Sequence, residues 1–446
     1  MSSTTFRYFC LLFIVFVSIH QSLATINQKD QNTLDKFKEW MKNNNIFLNE
    51  KLDIKYLDNF GLSIVSNSKI QKNEKLIHVP SQVMMSQQGI SKHIPKEIKE
   101  IVNQLGISKT NEQAIYLMYS KLNNLSFWNA YTNILPQSFS TTLFFIEKEL
   151  DELQASPLKQ YTIQRKNSID YHYDNIFSKL SKVLDEFKKP EYTKDLFYWA
   201  LSCVWSRSFS LSSNDGGMIP LADIFNAEAN PEKSKVSVKS TEVDGLHYSA
   251  AEDIEKDEQV YTPYGVYKPL SSSQMLMDYG FVFEKGSKAD HVILKVPGFR
   301  ESEDNYDIKR QILERNQITS DEYPLDMVSI QSLDTLPKDL MMYVRVKNLA
   351  TEEMSRAKSH FLNPKTKHTS MSNRNEKSSL RFLCTIIKKQ LSTYPTTYHE
   401  DSELLKQTNT FNQENAIKIR MIEKKILETF YDNLMKLREK YNNNKE

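Results

Sequence analysis

The sequence predicts an α+β protein in which two β-forming regions are separated by a long helical insert and followed by a mainly α-helical domain. Short strand-like runs punctuated by turn residues lie within residues 54–80 and 235–261, as is typical of small antiparallel sheets. Between them, residues of about 90–215 change to the period of helices, and helical periodicity returns beyond residue 286. A chain of 446 residues is also too long for one ordinary domain.

The N-terminal region is expected to contain one helix and a small antiparallel sheet. Apolar residues recur at helical spacing over about 31–43. Two strand-like runs follow at residues 54–56 and 61–66. A turn at 72–74 precedes a further strand at 75–80, which its proline ends.

The second β-forming region is expected to contain a hairpin. Strand patterns at residues 235–239 and 247–250 flank Asp244-Gly245, a dipeptide typical of hairpin turns. A second turn at 255–258 precedes a strand at 259–261.

Helices are predicted in the insert and in the C-terminal part. In the insert, apolar stripes cover residues 114–122 and 196–205, with an aromatic-rich turn region at 128–136 between them. A short strand at 292–296 then precedes three apolar stripes, at residues 343–350, 380–391 and 419–434. Such stripes are far more often the core of a helix bundle than a binding groove.

The composition argues against a nucleic-acid binder and against a metal centre. The 58 basic residues nearly balance the 56 acidic ones, whereas a nucleic-acid binder usually gathers a basic surplus on one face. Beyond Cys10, the widely spaced Cys203 and Cys384 form neither a zinc motif nor a disulfide framework. We expect two buried free thiols, with a single bridge in an oxidising compartment as the alternative. No HExxH, phosphate-loop or dinucleotide motif occurs, so no metal is predicted.

Residues 1–24 have the pattern of a secretory signal peptide. Arg7 precedes an apolar run at residues 9–19, and small residues at 22–24 match a peptidase site. The run is shorter than the roughly 20 residues that span a bilayer, and an uncleaved anchor is the alternative. The leader predicts a secretory-pathway or secreted protein without a further membrane span, with the cytoplasm as the alternative. A glycosylation sequon at Asn124 would matter only in a translocated chain.

Several short motifs occur in a fixed order along the chain. They are Trp128 with Tyr131 and Leu135-Pro136, Ser206-Arg207-Ser208-Phe209, Ile219-Pro220-Leu221-Ala222-Asp223 with Asn226, Tyr264-Gly265, Asp278-Tyr279-Gly280-Phe281, and Tyr394-Pro395-Thr396-Thr397 with Asp401 and Arg420. In this order they resemble the SET-domain protein-lysine methyltransferases of the Rubisco large-subunit type. The resemblance covers about residues 35–435. It implies a SET domain at 31–285 and a helical substrate-binding domain at 286–440.

The resemblance implies S-adenosylmethionine as the cofactor. Arg207 would offer its guanidinium to the cofactor carboxylate in a bidentate geometry that lysine could not supply. Asn226 and the backbone beside it would hold the amine and the adenine edge, and Asp223 would brace that loop. The residues implied in cofactor binding are Gly61, Leu62, Ser63, Arg207, Asp223, Asn226, Ala227 and Phe281.

The same resemblance makes Tyr264 the catalytic tyrosine and puts Tyr279 in the channel for the acceptor lysine. Without the family, each aromatic would be interpreted as a core residue, Arg207 as a surface charge near a helix end, and Gly61 as a turn residue.

Three departures from the family pattern bear on activity. The second glycine of the first loop is Ser63, the histidine after Asn226 is Ala227, and the Ser-Asn before the last helix of the SET domain reads Ser271-Ser272. The side chain of Ser63 could crowd the cofactor, and Ala227 removes a ring from the SET core.

We therefore predict a protein-lysine N-methyltransferase that acts on a non-histone protein, which the C-terminal helical domain binds. The chain is expected to be a monomer and not to bind nucleic acid. One alternative is a catalytically silent SET-fold protein that binds a peptide or a partner protein. The other is a protein-histidine methyltransferase.

Overall fold

The computed structural model describes residues 31–57, 60–210, 216–228, 234–241, 244–263, 269–328, 330, 335–408 and 410–443. The predicted leader and Tyr264 lie outside these residues. Within them the fold is α+β, as predicted.

The N-terminal region folds as the sequence predicts. A helix, α1, covers residues 31–43. Four strands follow it: β1 (Phe47–Leu48), β2 (Leu52–Leu57), β3 (Gly61–Ser66) and β4 (Lys75–Val79). β2 and β3 form an antiparallel pair that runs from Leu52 opposite Ser66 to Leu57 opposite Gly61.

The long central part of the chain is helical. Its helices are α2 (Gln87–His93), α3 (Lys96–Gln104), α4 (Lys109–Leu122), α5 (Asn129–Ile134), α6 (Glu147–Asp151), α7 (Pro157–Val183) and α8 (Lys194–Arg207). The side chains of Ser108 and Thr193 cap the amino ends of α4 and α8, each accepting a hydrogen bond from a backbone N–H three residues on.

The second β region contains the predicted hairpin. Its strands are β5 (Ser208–Ser210), β6 (Gly216–Met218), β7 (Asn226–Glu228), β8 (Val236–Thr241), β9 (Gly245–Ala250) and β10 (Tyr261–Pro263). The hairpin of β8 and β9 joins β4 and β1 in an antiparallel sheet of order β1-β4-β9-β8. β7 and β10 pair in parallel, and β5 and β6 pair antiparallel.

The C-terminal region is mainly helical. Its elements are α9 (Ser272–Asp278), β11 (His291–Lys295), α10 (Tyr306–Arg315), β12 (Glu322–Asp326), α11 (Lys338–Lys347), α12 (Met354–Phe361), α13 (Asn373–Leu391), α14 (Tyr398–Gln407) and α15 (Phe411–Asn443). The three predicted apolar stripes lie on α11, α13 and α15, and most of their apolar side chains pack into one buried core with the strand pair β11–β12. They are therefore core, as predicted.

The chain divides into two compact units. Residues up to 139 together with 167–266 form the first unit, and residues 140–166 together with 267–446 form the second. The domain boundary predicted at residue 285 is a different division and stays a prediction.

Both cysteines within the described residues are free thiols. Cys203 of α8 and Cys384 of α13 are buried, as predicted, and neither forms a bridge. Burial raises the pKa of each thiol, so both are poor nucleophiles at neutral pH.

A buried polar network lies in the second unit. The carboxylate of Asp401 on α14 accepts hydrogen bonds from Arg420 Nε (2.9 Å), Lys424 Nζ (2.5 Å) and Thr396 Oγ1 (2.6 Å). Arg420 also donates to the Glu152 carboxylate at 2.7 Å. The side chains of Asp401, Arg420 and Lys424 are at most 1% exposed, so each charge depends on its partners.

Glu423, on the same helix as Arg420, is also buried. Its carboxylate accepts hydrogen bonds from Ser156 Oγ (2.7 Å) and from the Tyr394 hydroxyl (2.8 Å). Burial raises the pKa of Glu423 to about 7, with the nearby charge of Asp290 acting in the same direction and the two hydrogen bonds opposing it.

This raised pKa makes stability depend on pH near neutrality. Between pH 4.5 and 7 the unfolded chain releases the Glu423 proton while the folded protein keeps it, so folding stability falls as pH rises through this window. We expect Glu423→Gln to remove this dependence. Its free energy of unfolding, relative to that of the wild type, should rise by about 3 kcal/mol between pH 4.5 and pH 8.

Urea unfolding at a series of pH values measures this difference. Glu439→Gln is the matched control, because Glu439 lies on the same helix and is exposed. A constant difference between Glu423→Gln and the wild type across this range would contradict the assignment.

Candidate functional site

The first loop of the family pattern corresponds here to the start of β3, where Gly61 and Leu62 pair with Leu57 and Tyr56 of β2. Gly61 has φ of +68°, a conformation that favours glycine. A Cβ atom built on Gly61 would have no neighbour within 4 Å among the described residues, so the space beside this residue is open. The loop could therefore accept a ligand against its backbone.

Ser63 does not point into that open space. Its side chain is fully buried, and its hydroxyl donates to the Gly61 carbonyl oxygen at 3.2 Å. The same oxygen, Oγ, accepts a hydrogen bond from Nδ2 of Asn226 at 2.8 Å. The hydroxyl of Ser63 is thus used within the protein, and whether it crowds a bound cofactor stays a prediction.

Asn226 is held in place from several directions. It is the first residue of β7 and pairs with Tyr261 of β10. The turn Ala222–Ile224 just before it contacts β3. Because Ser63 accepts from the amide nitrogen, the carbonyl oxygen of the Asn226 side chain is the atom directed away from Ser63.

The chain enters this turn through a strained residue. Leu221 has φ of +73° and ψ of −47°, a conformation that a residue with a Cβ atom rarely adopts. Its side chain is fully buried, and this packing keeps the backbone in place. Such strain is typical of backbone that presents functional groups.

Arg207 lies at the carboxyl end of α8 and faces Asp223. Its Nη1 donates to the Asp223 backbone carbonyl at 2.8 Å and to the carboxylate at 3.2 Å. The Asp223 side chain is 1% exposed, whereas that of Arg207 is 23% exposed, so part of the Arg207 side chain remains accessible.

Tyr131 of α5 is a second hydrogen-bond partner of the Asp223 carboxylate. Its hydroxyl donates to the same carboxylate oxygen of Asp223 at 2.7 Å. Burial raises the pKa of Asp223, while Arg207 and Tyr131 oppose this. Asp223 thus positions Arg207, and the role predicted for it in bracing the loop at Asn226 stays a prediction.

Ala227 lies within the parallel strand pair of β7 and β10. Ala227 of β7 pairs with Thr262 of β10, which is continuous backbone pairing that does not need the family histidine. Tyr264 follows β10 directly in the sequence and lies outside the described residues, so its catalytic role stays a prediction.

Tyr279 and Phe281 belong to the second unit, where they follow α9. Burial raises the pKa of the Tyr279 hydroxyl to about 12, with the charge of Asp278 contributing, so this hydroxyl keeps its proton at neutral pH. Gly280 between them has φ of +86°, and a Cβ there would lie 2.9 Å from the Ser140 backbone. Phe281 packs edge to face on Phe283, with ring centroids 5.2 Å apart.

The Ser271-Ser272 departure is accommodated within the second unit. Ser271 caps α9 in a capping box with Gln274. Ser272 donates its backbone N–H and its hydroxyl to the two oxygens of Asp290, at 2.5 and 2.8 Å. A serine at this position therefore still ties the start of α9 to the chain beyond it.

Sequence reasoning missed the roles of Tyr131, Leu221 and Asp290. Tyr131 and Leu221 both stand in motifs that carried the resemblance, but no spacing rule marks a buried hydroxyl or a positive φ. The described helices also give no membrane-spanning candidate: none combines the length and apolarity that a bilayer span requires.

Comparisons with known proteins support the predicted fold and the predicted substrate-binding domain in the C-terminal region. A family model described as Rubisco LSMT substrate-binding matches residues 300–427. The chain is 27% identical over 436 residues to [Fructose-bisphosphate aldolase]-lysine N-methyltransferase, chloroplastic, from Arabidopsis thaliana, covering 95% of this chain and 87% of that protein. It is 24% identical over 437 residues to actin-histidine N-methyltransferase from Xenopus tropicalis, covering 94% and 72% respectively.

A solved structure of Rubisco LSMT bound to sinefungin and monomethyllysine superposes on the chain with a TM-score of 0.75. Sequence identity is 22%, and the match covers 92% of this chain and 93% of that one. At this identity the likeness establishes the fold. The chain therefore has the fold of Rubisco LSMT, and residues 300–427 match the Rubisco LSMT substrate-binding family.

Proposed function

We propose that the protein is an S-adenosylmethionine-dependent protein methyltransferase whose acceptor is a lysine side chain of a non-histone protein. The observation that carries the proposal is the hydrogen-bonded arrangement of Asn226, Ser63 and the Gly61 backbone, together with Arg207 at the end of α8. These groups lie in a fold shared with a methyltransferase that has been solved with a cofactor analogue and a methylated lysine.

The residues present fit the cofactor by the chemistry of their donors and acceptors. The guanidinium of Arg207, on a side chain that is 23% exposed, suits a carboxylate. The amide oxygen of Asn226 suits an ammonium group, and the open space beside Gly61 leaves room for a ligand against the backbone. When bound, S-adenosylmethionine supplies an electrophilic methyl group.

On the acceptor side the protein must take up a neutral amine, although a free lysine has a pKa of about 10.4. Aromatic walls lower the pKa of an amine by desolvating its charged form. The resemblance gives Tyr279 the role of lining the acceptor channel. Tyr279 adds a hydroxyl without adding charge, because its raised pKa keeps it protonated. Tyr264 would orient the amine lone pair toward the methyl group.

Lysine is proposed over histidine on the strength of the Arabidopsis thaliana relative, which is named a lysine methyltransferase. Histidine stays a second candidate because relatives that act on actin histidine match at comparable coverage. The third candidate is a silent SET-fold protein that binds a partner through its C-terminal domain, as favoured by Ser63 and Ala227. We expect the protein to act as a monomer.

Two measurements on the untagged full chain test the proposal. Calorimetry should detect saturable binding of S-adenosylmethionine, and label from its methyl group should appear on a protein acceptor. Fructose-bisphosphate aldolase, the Rubisco large subunit and actin are the first acceptors to try, because relatives are named for them. Peptide mass spectrometry of the labelled acceptor then separates lysine from histidine.

Tyr264→Phe should keep cofactor binding and lower methyl transfer by about 100-fold, since it removes one aligned hydroxyl. Binding without transfer to any acceptor would favour the silent SET-fold protein. The absence of saturable binding would exclude the enzyme.

The leader further supports the proposal that the chain enters the secretory pathway. The sequon at Asn124 lies in an exposed turn after α4, and its middle residue, Leu125, is 94% exposed. We expect Asn124 to be glycosylated in eukaryotic cells, giving an electrophoretic shift that endoglycosidase removes. Asn124→Gln should abolish the shift, whereas Asn133→Gln, outside any sequon, should keep it. An unglycosylated cytosolic protein would show the leader interpretation to be wrong.

A further inference from the structure

Three metal-binding side chains meet on the four-stranded sheet of the first unit. His78 of β4 and His247 of β9 are directly opposite each other in the antiparallel register. Asp244, one residue before β9, reaches both rings. We propose that His78, Asp244 and His247 form a binding site for a divalent transition-metal ion that prefers imidazole ligands, with Zn²⁺ as its probe.

The distances place the ligand atoms close together. Nε2 of His247 lies 2.7 Å from a carboxylate oxygen of Asp244, and Nε2 of His78 lies 3.4 Å from the other oxygen. One ligand atom from each of the three residues falls within 4.8 Å of the others. Ligands bound to Zn²⁺ at about 2.0–2.2 Å lie about 3–4 Å apart. The 3.4 Å pair already has this spacing, whereas the 2.7 Å pair must lengthen by about 1 Å or less, a change within reach of side-chain rotation.

The sheet positions the two imidazoles before any ion arrives. Their rings stack with centroids 4.2 Å apart and 13° between the planes. Both side chains are partly buried, at 19% and 26% exposure, whereas Asp244 is 63% exposed. The strands thus hold the two side chains next to each other, one ring must turn out of the stack for both nitrogens to face a single ion, and the exposed carboxylate leaves a path from solvent.

The turn that carries Asp244 is pressed against the end of β4. Gly245 has φ of +102°, and a Cβ at this position would lie 2.1 Å from the carbonyl oxygen of Val79. Only glycine fits this contact, so Asp244 is held next to the strand that bears His78. Without an ion, Nε2 of His78 donates to the Asp244 backbone oxygen at 2.9 Å, and this nitrogen must release its proton and this contact to bind the ion.

The chemistry of the three ligands indicates which ions fit. Two imidazoles and one carboxylate suit Zn²⁺, Ni²⁺ or Cu²⁺ better than Mg²⁺ or Ca²⁺, which prefer oxygen. Three protein ligands leave at least one coordination position for water or another ligand. The ion would link β4 to the β8–β9 hairpin, and its binding is independent of the proposed methyl transfer.

Titration of the untagged, chelator-treated full chain with Zn²⁺ tests the site. We expect one saturable ion per chain at this site, measured by competition with a chromophoric chelator. His78→Ala and His247→Ala should each weaken binding by more than about 10-fold. His399→Ala is the matched control, because it removes an exposed imidazole elsewhere and should leave binding unchanged.

Co²⁺ provides a second readout, since its visible absorption reports coordination by nitrogen and oxygen ligands. The spectrum should be lost in the double variant His78→Ala/His247→Ala. Thermal unfolding in chelator should match the wild type and show that the variant folds. Binding that persists in this double variant, or a wild-type chain that binds no Zn²⁺, would overturn the site.

Discussion

Replacing Asp401 by alanine is expected to lower the free energy of unfolding by about 3–5 kcal/mol, the largest effect expected of any single substitution here. Asp401 is the shared partner of Arg420 and Lys424, and all three side chains are at most 1% exposed. Without the carboxylate, two positive charges remain buried, and the hydroxyl of Thr396 loses an acceptor. Urea unfolding of the full chain measures the loss.

Glu403→Ala is the matched control for this prediction. Glu403 lies on the same helix as Asp401 and pairs with Lys406 at 2.7 Å, but both side chains are largely exposed. An exposed pair of this kind contributes about 1 kcal/mol or less. If Asp401→Ala lowered the free energy of unfolding by as little as Glu403→Ala does, the network would not depend on Asp401. Asp401→Asn keeps the shape of the side chain and one acceptor oxygen. Its loss of free energy of unfolding should lie between those of Asp401→Ala and Glu403→Ala.

Replacing Asn226 by alanine is expected to weaken the binding of S-adenosylmethionine by about 10- to 100-fold, as for a lost hydrogen bond to a charged group. The side chain is oriented by its hydrogen bond to Ser63, so its carbonyl oxygen is available in a defined direction. Calorimetry on the full chain measures the dissociation constant. Asn133→Ala, an exposed asparagine in the same unit, should leave it unchanged.

Ser63→Ala tests whether the serine orients the asparagine. The substitution removes the hydroxyl that accepts the hydrogen bond from Nδ2 of Asn226. It should weaken the binding of S-adenosylmethionine by about 2- to 10-fold. In the double variant Ser63→Ala/Asn226→Ala the effect should equal that of Asn226→Ala alone, because Ser63 acts through Asn226. Additive effects would mean that Ser63 touches the cofactor directly. Tighter binding by Ser63→Ala would mean that the hydroxyl crowds the site.

The fold was largely predictable because its elements are strongly patterned. The strands β2, β3 and β4 and the hairpin at Asp244-Gly245 follow from alternation and turn chemistry. The stripes of α11, α13 and α15 follow from helical spacing. The three-residue strands β5, β6 and β7 were missed because so short a segment carries no period of its own.

The candidate site was predictable only in part. Arg207, Asp223 and Asn226 were found through ordered motifs, and the structure joins Arg207 to Asp223. The hydrogen bond between Ser63 and Asn226 could not be predicted, because it links residues 163 positions apart. For the same reason the cluster of His78 and His247 was missed and no metal was predicted: cross-strand pairs leave no spacing signal in a sequence.

The contact between Ser63 and Asn226 also has a consequence for the order of folding. Its two halves are separated by the whole helical insert, and β7 reaches its parallel partner β10 only after the β8–β9 hairpin has been synthesised. Closing such long loops is slow compared with forming local helices. The pocket is therefore expected to close late, after the helices have formed, so the gain of ligand affinity during refolding would report one of the final steps rather than the first collapse.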